Sequence, residues 1–255
     1  MVKNNIAKIS IITAVKNGEK FLEKTIEKII NQKNINFEYI VIDGKSTDST
    51  LKIIEKYKKN ISYFVSEEDE GISDAFNKGV KAATGEFINF QGDGDGFTYD
   101  KAVYDLFCDV DTKKFDLVCG RVNRVSLDDK IIFTSPYIKN FRKESLLFKL
   151  TLPHQGLFTK KKLFEKFGYF DRETKYAMDY EHLLRMYYDF PNVKFKNIIL
   201  SNWRADGHGN NQDIKILKEY NFIKIKNKVA PVLILKLINI WSVFKLKFKK
   251  LLNYK

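Results

Sequence analysis

The chain has 255 residues, of which 44% are hydrophobic and 30% charged, which fits a globular core in one large domain with an appendage or in two small domains. Its two cysteines, Cys108 and Cys119, are too few for a disulfide framework or a zinc site, so a reducing compartment is expected. The net charge of +13 is concentrated in residues 214–255, where eleven lysines and one acid give 11 − 1 = +10. The rest of the chain therefore carries a net charge of 13 − 10 = +3, which disfavours nucleic-acid binding by the main body.

Strands and helices are predicted to alternate over residues 6–90. No long apolar signal-peptide core follows the basic start of the chain, so no export signal is predicted. The apolar periodicity predicts strands over 6–15, 37–42, 61–65 and 87–90, and helices over 19–32, 46–59 and 72–83. Ser46 and Thr47 are the predicted N-caps of the second helix. This alternation predicts an α/β fold in which helices flank a mostly parallel central sheet.

The second half of the sequence is less regular. We predict a strand over 115–118, a strand pair over 120–133 around Asp128-Asp129, a helix over 162–167 closed by Gly168, and a helix over 179–188. No internal repeat and no low-complexity linker divides the chain.

Polar residues follow four successive predicted strands, at the edge where parallel sheets bind ligands. They are Thr13–Asn17, Asp43-Gly44, Ser66–Asp69 and Asp93-Gly94-Asp95. The last segment is the most informative, because two carboxylates one residue apart repel each other unless a cation or a ligand hydroxyl lies nearby. An ordinary Gly/Asp turn is the alternative. Neither a dinucleotide fingerprint nor a Walker phosphate loop follows the first strand, which disfavours a nicotinamide or ATP enzyme.

Several ordered blocks of the sequence carry a family resemblance. They are residues 10–19, 38–50 and 66–79, Asp93-Gly94-Asp95, His154-Gln155, and residues 168–171 and 179–185. Together they resemble family 2 glycosyltransferases over roughly residues 6–210, and most closely those that build bacterial surface polysaccharides. The resemblance implies a GT-A domain over 1–212, with a nucleotide-sugar-binding half over 1–100 and an acceptor half over 101–212. It implies inverting transfer of a sugar from a nucleotide-sugar, UDP-linked in most of the family, to a hydroxyl of a glycan or lipid-linked acceptor.

The resemblance also assigns donor-binding residues. Thr13 and Ala14 are expected to line the nucleotide-base pocket, and Asp43 to accept a hydrogen bond from the base. Asp74 and Lys78 fall in the block that closes over the nucleotide.

Metal, catalytic and acceptor-side residues follow in the same way. Asp93 is expected to face the ribose or the metal, Asp95 to hold Mg²⁺ or Mn²⁺ against the diphosphate, and Asp179 to act as general base. His154 and Arg185 are the acceptor-side candidates. The residues alone leave alternatives open: Asp179 as a helix N-cap, His154 as a structural turn residue, and Arg185 as a helix anchor through a salt bridge.

Three departures from the family pattern stand out. Lys16 occupies a position where an aromatic residue is common, and Gly94 separates two aspartates that are often adjacent. Residues 206–209 replace a pattern richer in Gly and Ser, and His208 there is either a further metal or phosphate ligand or a solvated loop residue.

The C-terminal tail, residues 213–255, contains a predicted amphipathic helix after Pro231. One stripe is apolar: Leu233, Ile234, Leu237, Ile240, Trp241, Phe244, Phe248, Leu251 and Leu252. Lysines occupy the rest of the wheel: Lys236, Lys245, Lys247, Lys249 and Lys250. Such a helix is typical of a membrane interface, and its longest uncharged stretch, Leu237–Phe244, is too short to span a bilayer. The expected location is cytoplasmic, on the inner face of the membrane; packing of the stripe on the domain is the alternative.

Two other functions remain as hypotheses. One is a catalytically degenerate relative that binds a nucleotide or polysaccharide without turnover. The other is a nucleic-acid-binding protein that uses the lysine tail. It ranks last because basic and aromatic residues alternate only along the amphipathic stripe, so no nucleic-acid partner is expected.

Overall fold

A computed structural model describes residues 7–205 and 212–252, the side chains of residues 249 and 250 excepted. The strands are β1 (Ile9–Val15), β2 (Phe37–Asp43), β3 (Tyr63–Ser66), β4 (Phe87–Phe90), β5 (Gly96–Phe97), β6 (Leu117–Val125), β7 (Ile131–Thr134), β8 (Leu157–Lys160) and β9 (Val193–Arg204). The helices are α1 (Leu22–Ile30), α2 (Thr50–Lys56), α3 (Ile72–Ala82), α4 (Ala102–Phe107), α5 (Lys161–Phe167), α6 (Met178–Arg185), α7 (Asp213–Lys226) and α8 (Val232–Leu252).

The first four strands form a parallel sheet. β1 lies between β2 and β4, and β3 extends the sheet beyond β2. Side chains alternate across β1, so that Ile9 and Ile11 pack with α1, α2 and α4, whereas Ile12 and Ala14 pack with α3 and α5 on the other face. The predicted α/β fold with helices flanking the sheet is therefore confirmed.

The second half extends the same sheet with strands of mixed direction. The strand order is β3-β2-β1-β4-β8-β6-β9-β5, with β7 paired to β6. β8 is antiparallel to both β4 and β6, whereas β9 is parallel to β6. The predicted strand pair around Asp128-Asp129 is confirmed as the β6–β7 hairpin. A second core, which includes residues of α6, α7 and α8, packs against this half.

The predicted start of the second helix is wrong. Helix α2 begins at Thr50, and Ser49 precedes it without a side-chain cap. Ser46 does not cap a helix because its hydroxyl donates to the carboxylate of Asp43 and accepts from the backbone N–H of Asn17. The Ser46 hydroxyl, which could have capped a helix, instead links the segments that follow β1 and β2.

Helix α8 packs on the domain through one side only. Leu235 is buried in the second core, and on a helical wheel it lies on the side away from the predicted apolar stripe. Ile238, next to one edge of the stripe, is also buried. All nine stripe residues are exposed, from 47% for Ile234 to 71% for Leu233. The alternative prediction, that the stripe packs on the domain, is therefore wrong. Among the described residues, no helix combines enough length with enough apolar character to cross a membrane.

Candidate active site

One cavity of about 770 Å³ lies beside the ends of β4, β6 and β9. Four of the predicted site residues line it: Asp93, Asp95, His154 and Asp179. They come from the loop after β4, the turn before β8 and the first turn of α6. A cavity of this size is in the range of small-molecule sites. The fold thus brings together carboxylates that are more than eighty residues apart in sequence.

Asp95 is a buried carboxylate in the lining of this cavity. Its Oδ2 accepts hydrogen bonds from the Gly92 backbone N–H at 3.1 Å and the Gln155 side-chain amide at 3.0 Å. Its Oδ1 accepts one from the Arg204 backbone N–H at 3.1 Å. Burial nevertheless raises the pKa of Asp95 to about 6, and the charge of nearby Asp93 acts in the same direction. A carboxylate in this setting is stabilised in its ionised form by a cation.

Arg204 supplies a guanidinium beside the same turn. Its Nη2 lies 4.0 Å from Oδ2 of Asp93, and its guanidinium lies over the Phe21 ring at 3.6 Å from the centroid. Gly94 has φ +85°, and a Cβ there would come within 2.6 Å of Nη1 of Arg204. The glycine that interrupts the two aspartates therefore makes room for this side chain.

Asp179 and His154 lie close to each other in the lining of the cavity. Nδ1 of His154 lies 3.8 Å from Oδ2 of Asp179, and its ring stacks on Phe90 at a centroid distance of 5.1 Å. Burial raises the pKa of Asp179, although the proximity of His154 opposes the shift. Burial lowers the pKa of His154, which favours a neutral imidazole at pH 7.

Helix α6 sets the position of Asp179. The N-cap residue of α6 is Ala177, so Asp179 lies in the first turn and the N-cap alternative is wrong. Its Oδ1 accepts the backbone N–H of Tyr180 at 2.8 Å. The other carboxylate oxygen, Oδ2, is the one that faces His154.

Three donor-binding candidates lie along the strands and not on the cavity. Thr13 is fully buried in β1, where its hydroxyl accepts a hydrogen bond from Tyr39 at 3.1 Å. Ala14 is part of the apolar core under α3. Asp43 is fully buried at the end of β2, and its carboxylate accepts three hydrogen bonds, from the backbone and hydroxyl of Ser46 and the hydroxyl of Ser66. A carboxylate has about four acceptor positions, and these hydrogen bonds occupy three of them.

The remaining candidates are held in ion pairs away from the lining of the cavity. Lys78 contacts Glu67 at 2.9 Å and Asp74 at 3.5 Å, which ties α3 to the loop after β3. Arg185 pairs with the buried Glu181 and also donates to the backbone carbonyls of Phe167 and Tyr169, both at 2.8 Å. The salt bridge predicted as the alternative for Arg185 is therefore confirmed, while the acceptor-side role stays a prediction. His208 lies outside the described residues.

The family follows from comparison with known proteins. Residues 10–169, more than half of the chain, match the model of a family described as glycosyl transferase family 2. The chain belongs to this family. Its predicted identity as a family 2 glycosyltransferase is thereby confirmed.

Among curated relatives, this glycosyltransferase is similar to two bacterial proteins. It is 29% identical over 240 residues to an uncharacterized glycosyltransferase of Rickettsia typhi, covering 89% of this chain and 74% of the relative. It is 27% identical over 226 residues to a chondroitin synthase of Escherichia coli, covering 86% of this chain but only 32% of that longer protein.

Solved structures of related glycosyltransferases share the fold. TarS of S. aureus, residues 1–349 with UDP-GlcNAc, superposes with a TM-score of 0.71 at 18% identity, over 92% of this chain and 71% of TarS. The mannosyltransferase PcManGT from Pyrobaculum calidifontis, with GDP-Man and Mn²⁺, gives 0.67 at 16% identity, over 94% of this chain and 72% of PcManGT. At this identity the likeness shows the fold, which is of the GT-A type.

Sequence reasoning missed several residues that line the cavity of this glycosyltransferase. They include Lys175, Trp203, Arg204 and Tyr220, and Gln155 was named only as part of a family block, without a role. Trp203 and Arg204 end β9, a strand that was not predicted although Val193-Lys194-Phe195-Lys196 alternates with the period of a strand. Tyr220 belongs to α7, which was treated as part of the tail.

Asp93 and Asp95 fit a divalent cation that a ligand helps to hold. Within 7–205 and 212–252, no group of three or more His, Cys, Asp or Glu side chains converges on a metal position. Magnesium-type sites commonly use one or two protein carboxylates and take the remaining oxygens from water and substrate phosphates. Asp93 and Asp95 satisfy the protein part of that requirement.

Proposed function

We propose that the chain is a metal-dependent, inverting glycosyltransferase that moves a sugar from a UDP-linked donor to a hydroxyl of a glycan or lipid-linked acceptor. The observation that carries the proposal is the shared cavity, whose lining includes Asp93 and Asp95, which we assign to a donor end, and Asp179 and His154, which we assign to an acceptor end. One carboxylate base acting on an acceptor hydroxyl suits a single displacement, and a single displacement inverts the anomeric carbon.

The donor end is suited to a diphosphate. Asp93 and Asp95 would hold Mg²⁺ or Mn²⁺, which when bound supplies Lewis-acid stabilisation of the diphosphate leaving group. The guanidinium of Arg204 adds a fixed positive charge beside the same turn. Gln155 donates to Asp95 and thereby orients its carboxylate. Asp43, Thr13, Ala14, Asp74 and Lys78 stay proposed donor contacts.

The acceptor end is suited to proton removal. The acceptor oxygen forms a bond to the anomeric carbon as the bond to the diphosphate oxygen breaks, and Asp179 takes the hydroxyl proton. Burial makes Asp179 a stronger base than an exposed aspartate, while its place in the first turn of α6 favours its ionised form. The lowered pKa of His154 leaves a neutral imidazole 3.8 Å from Asp179, which adds no positive charge that would weaken the base.

The proposed acceptors are polysaccharide chains or lipid-linked sugars of bacterial surface polysaccharides, reached at the inner face of the cytoplasmic membrane. Similarity to a chondroitin synthase supports a polysaccharide product. Aromatic rings of Tyr176, Trp203 and Tyr220 in the cavity lining offer apolar faces to sugar rings.

A thermal-shift screen of nucleotide-sugars with and without Mn²⁺ tests donor and metal together. We expect a UDP-sugar to raise the Tm when Mn²⁺ is present, because ligand that binds only the folded state stabilises it by mass action. Asp179→Asn should keep this shift and lose transfer and donor hydrolysis. Asp171→Asn is the matched control, since Asp171 pairs with Lys226 outside the cavity and should keep both. No shift with any UDP-sugar would refute the donor class.

A further inference from the structure

The exposed side of α8 is a surface of defined chemistry. Its nine apolar stripe residues are exposed, whereas Leu235 of the same helix is buried in the second core. On the helical wheel Lys236 and Lys247 lie along one edge of the stripe and Lys245 along the other. All three lysines are exposed. The helix contains five lysines and no acid in 21 residues.

We propose that this stripe and its lysine edges dock on an anionic lipid surface, with α8 lying in the plane of the interface. Trp241, Phe244 and Phe248 would enter the headgroup region, and the lysines would contact anionic headgroups. The stripe is continuous over Leu233–Leu252, so the whole length of the helix can lie on the surface. This surface is additional to the donor and acceptor cavity and does not depend on the chemistry proposed there.

Charge favours a lipid surface over a second copy of the chain. Two α8 helices that met through their stripes would bring lysine edges together without any acid on either helix to pair with them. An anionic bilayer offers the complementary charge along both edges. The absence of acids on α8 therefore selects the lipid occupant.

Two other groups of exposed apolar side chains lack this combination. The β6–β7 hairpin exposes Leu127, Ile131, Ile132 and Phe133, but its tip carries Asp128 and Asp129, which an anionic surface repels. The edge formed by α2 and β3 exposes Leu51, Tyr63 and Phe64 among charges of both signs, such as the Lys58–Glu55 pair. Of these three surfaces, the one on α8 is the only one that has both a continuous apolar stripe and charges of positive sign only.

The docking surface has a fixed relation to the cavity. Helix α8 packs beside α7, and Asp213, Ile216 and Tyr220 of α7 line the cavity. A bilayer bound to α8 would therefore lie one helix away from the cavity wall. This arrangement suits an acceptor that is itself anchored in the membrane.

Vesicle flotation of the full chain tests the surface. We expect the wild type to float with phosphatidylcholine vesicles that contain one-third phosphatidylglycerol, and the bound fraction to fall as salt rises. Trp241→Glu, Phe244→Glu and Phe248→Glu together should abolish flotation. The matched control carries Leu51→Glu, Tyr63→Glu and Phe64→Glu, the same chemistry on a surface of similar exposure, and should float like the wild type.

A second variant tests the charge without touching the stripe. Lys236→Gln, Lys245→Gln and Lys247→Gln together should weaken binding to anionic vesicles on the order of 100-fold, since each lysine near an anionic leaflet contributes roughly a fivefold factor. The proposal is overturned if wild-type protein does not float, or if the control variant loses binding as fully as the stripe variant. A wild-type dimer in light scattering that the stripe variant dissociates, without vesicle binding, would overturn it in favour of self-association.

Donor hydrolysis in vesicle-free solution separates this proposal from the proposed function. The stripe variant should retain the wild-type rate, because no stripe residue lines the cavity. Loss of flotation with retained hydrolysis supports the surface, whereas flotation without any hydrolysis would leave the surface standing and contradict the enzyme chemistry.

Discussion

The buried carboxyl of Asp95 makes the stability of the metal-free protein depend on pH. Burial raises its pKa from the ordinary 3.8 to about 6 in the folded state. A group with a higher pKa in the folded state binds its proton more tightly there than in the unfolded chain. Its contribution to stability is therefore complete below pH 3.8 and is lost as the pH rises through about 6. Asp95→Asn removes this titration.

The magnitude follows from the two pKa values. A change from 3.8 to about 6 corresponds to about 3 kcal/mol in the free energy of unfolding. Roughly 1.4 kcal/mol of this falls between pH 5 and pH 8. Asparagine also loses one hydrogen bond, because each carboxylate oxygen of Asp95 accepts a backbone N–H. That loss costs about 1–3 kcal/mol but is the same at every pH.

Urea unfolding in EDTA at several pH values between 5 and 8 measures the effect. We expect the stability of the wild type, relative to Asp95→Asn, to fall by roughly 1.4 kcal/mol across this range. Asp128→Asn, a change at an exposed turn aspartate, is the control and should run parallel to the wild type. Addition of Mn²⁺ at pH 8 should raise the Tm of the wild type more than that of Asp95→Asn. Parallel pH curves for the wild type and Asp95→Asn would refute the reasoning.

Three further predictions concern the cavity and its support. Asp179→Asn should lower the transfer rate by about 10²–10⁴-fold, as expected for loss of a general base, and a rate within tenfold of the wild type in a radiolabelled-sugar assay would contradict its role. Gly94→Ala should destabilise the protein by about 1–3 kcal/mol more than Gly71→Ala in urea unfolding, because both have positive φ but only the first places a Cβ against Arg204; equal losses would show that the guanidinium yields freely. Arg185→Met should cost about 3–5 kcal/mol, since it leaves a buried glutamate without its partner, and calorimetry with a Tm near the wild type would contradict this account.

The apolar pattern of short sequence windows was enough to predict most strands and helices in the first half of the chain. The apolar periodicity predicted β4 over Phe87–Phe90 and placed α3 within one residue of its observed end. These predictions succeeded because buried parallel strands and amphipathic helices have different periods that short windows reveal. The start of α2 failed because Ser46 bonds to Asp43 and Asn17, which a local capping rule does not include.

The residues of the site also fall into some that the sequence predicted and some that it did not. The prediction that Asp93, Asp95 and Asp179 belong to one site rested on their residue types and the family blocks around them, and all three line the same cavity. Arg204 was missed because its contact with Asp93 joins residues more than a hundred positions apart, through a strand that had not been predicted. The sequence also could not predict that Asp43 lies outside the cavity lining. Its carboxylate is bonded by Ser46 and Ser66, and these residues come together only when the strands pair.

The sequence by itself determined the fold class, the family and the two-sided character of α8, because each depends on residue types at short, regular spacing. The tertiary structure alone decided which strand ends share a cavity, which groups surround Asp95, and which side of α8 is covered. Those outcomes depend on contacts between distant segments, whose burial and hydrogen bonds form only when the sheet is assembled.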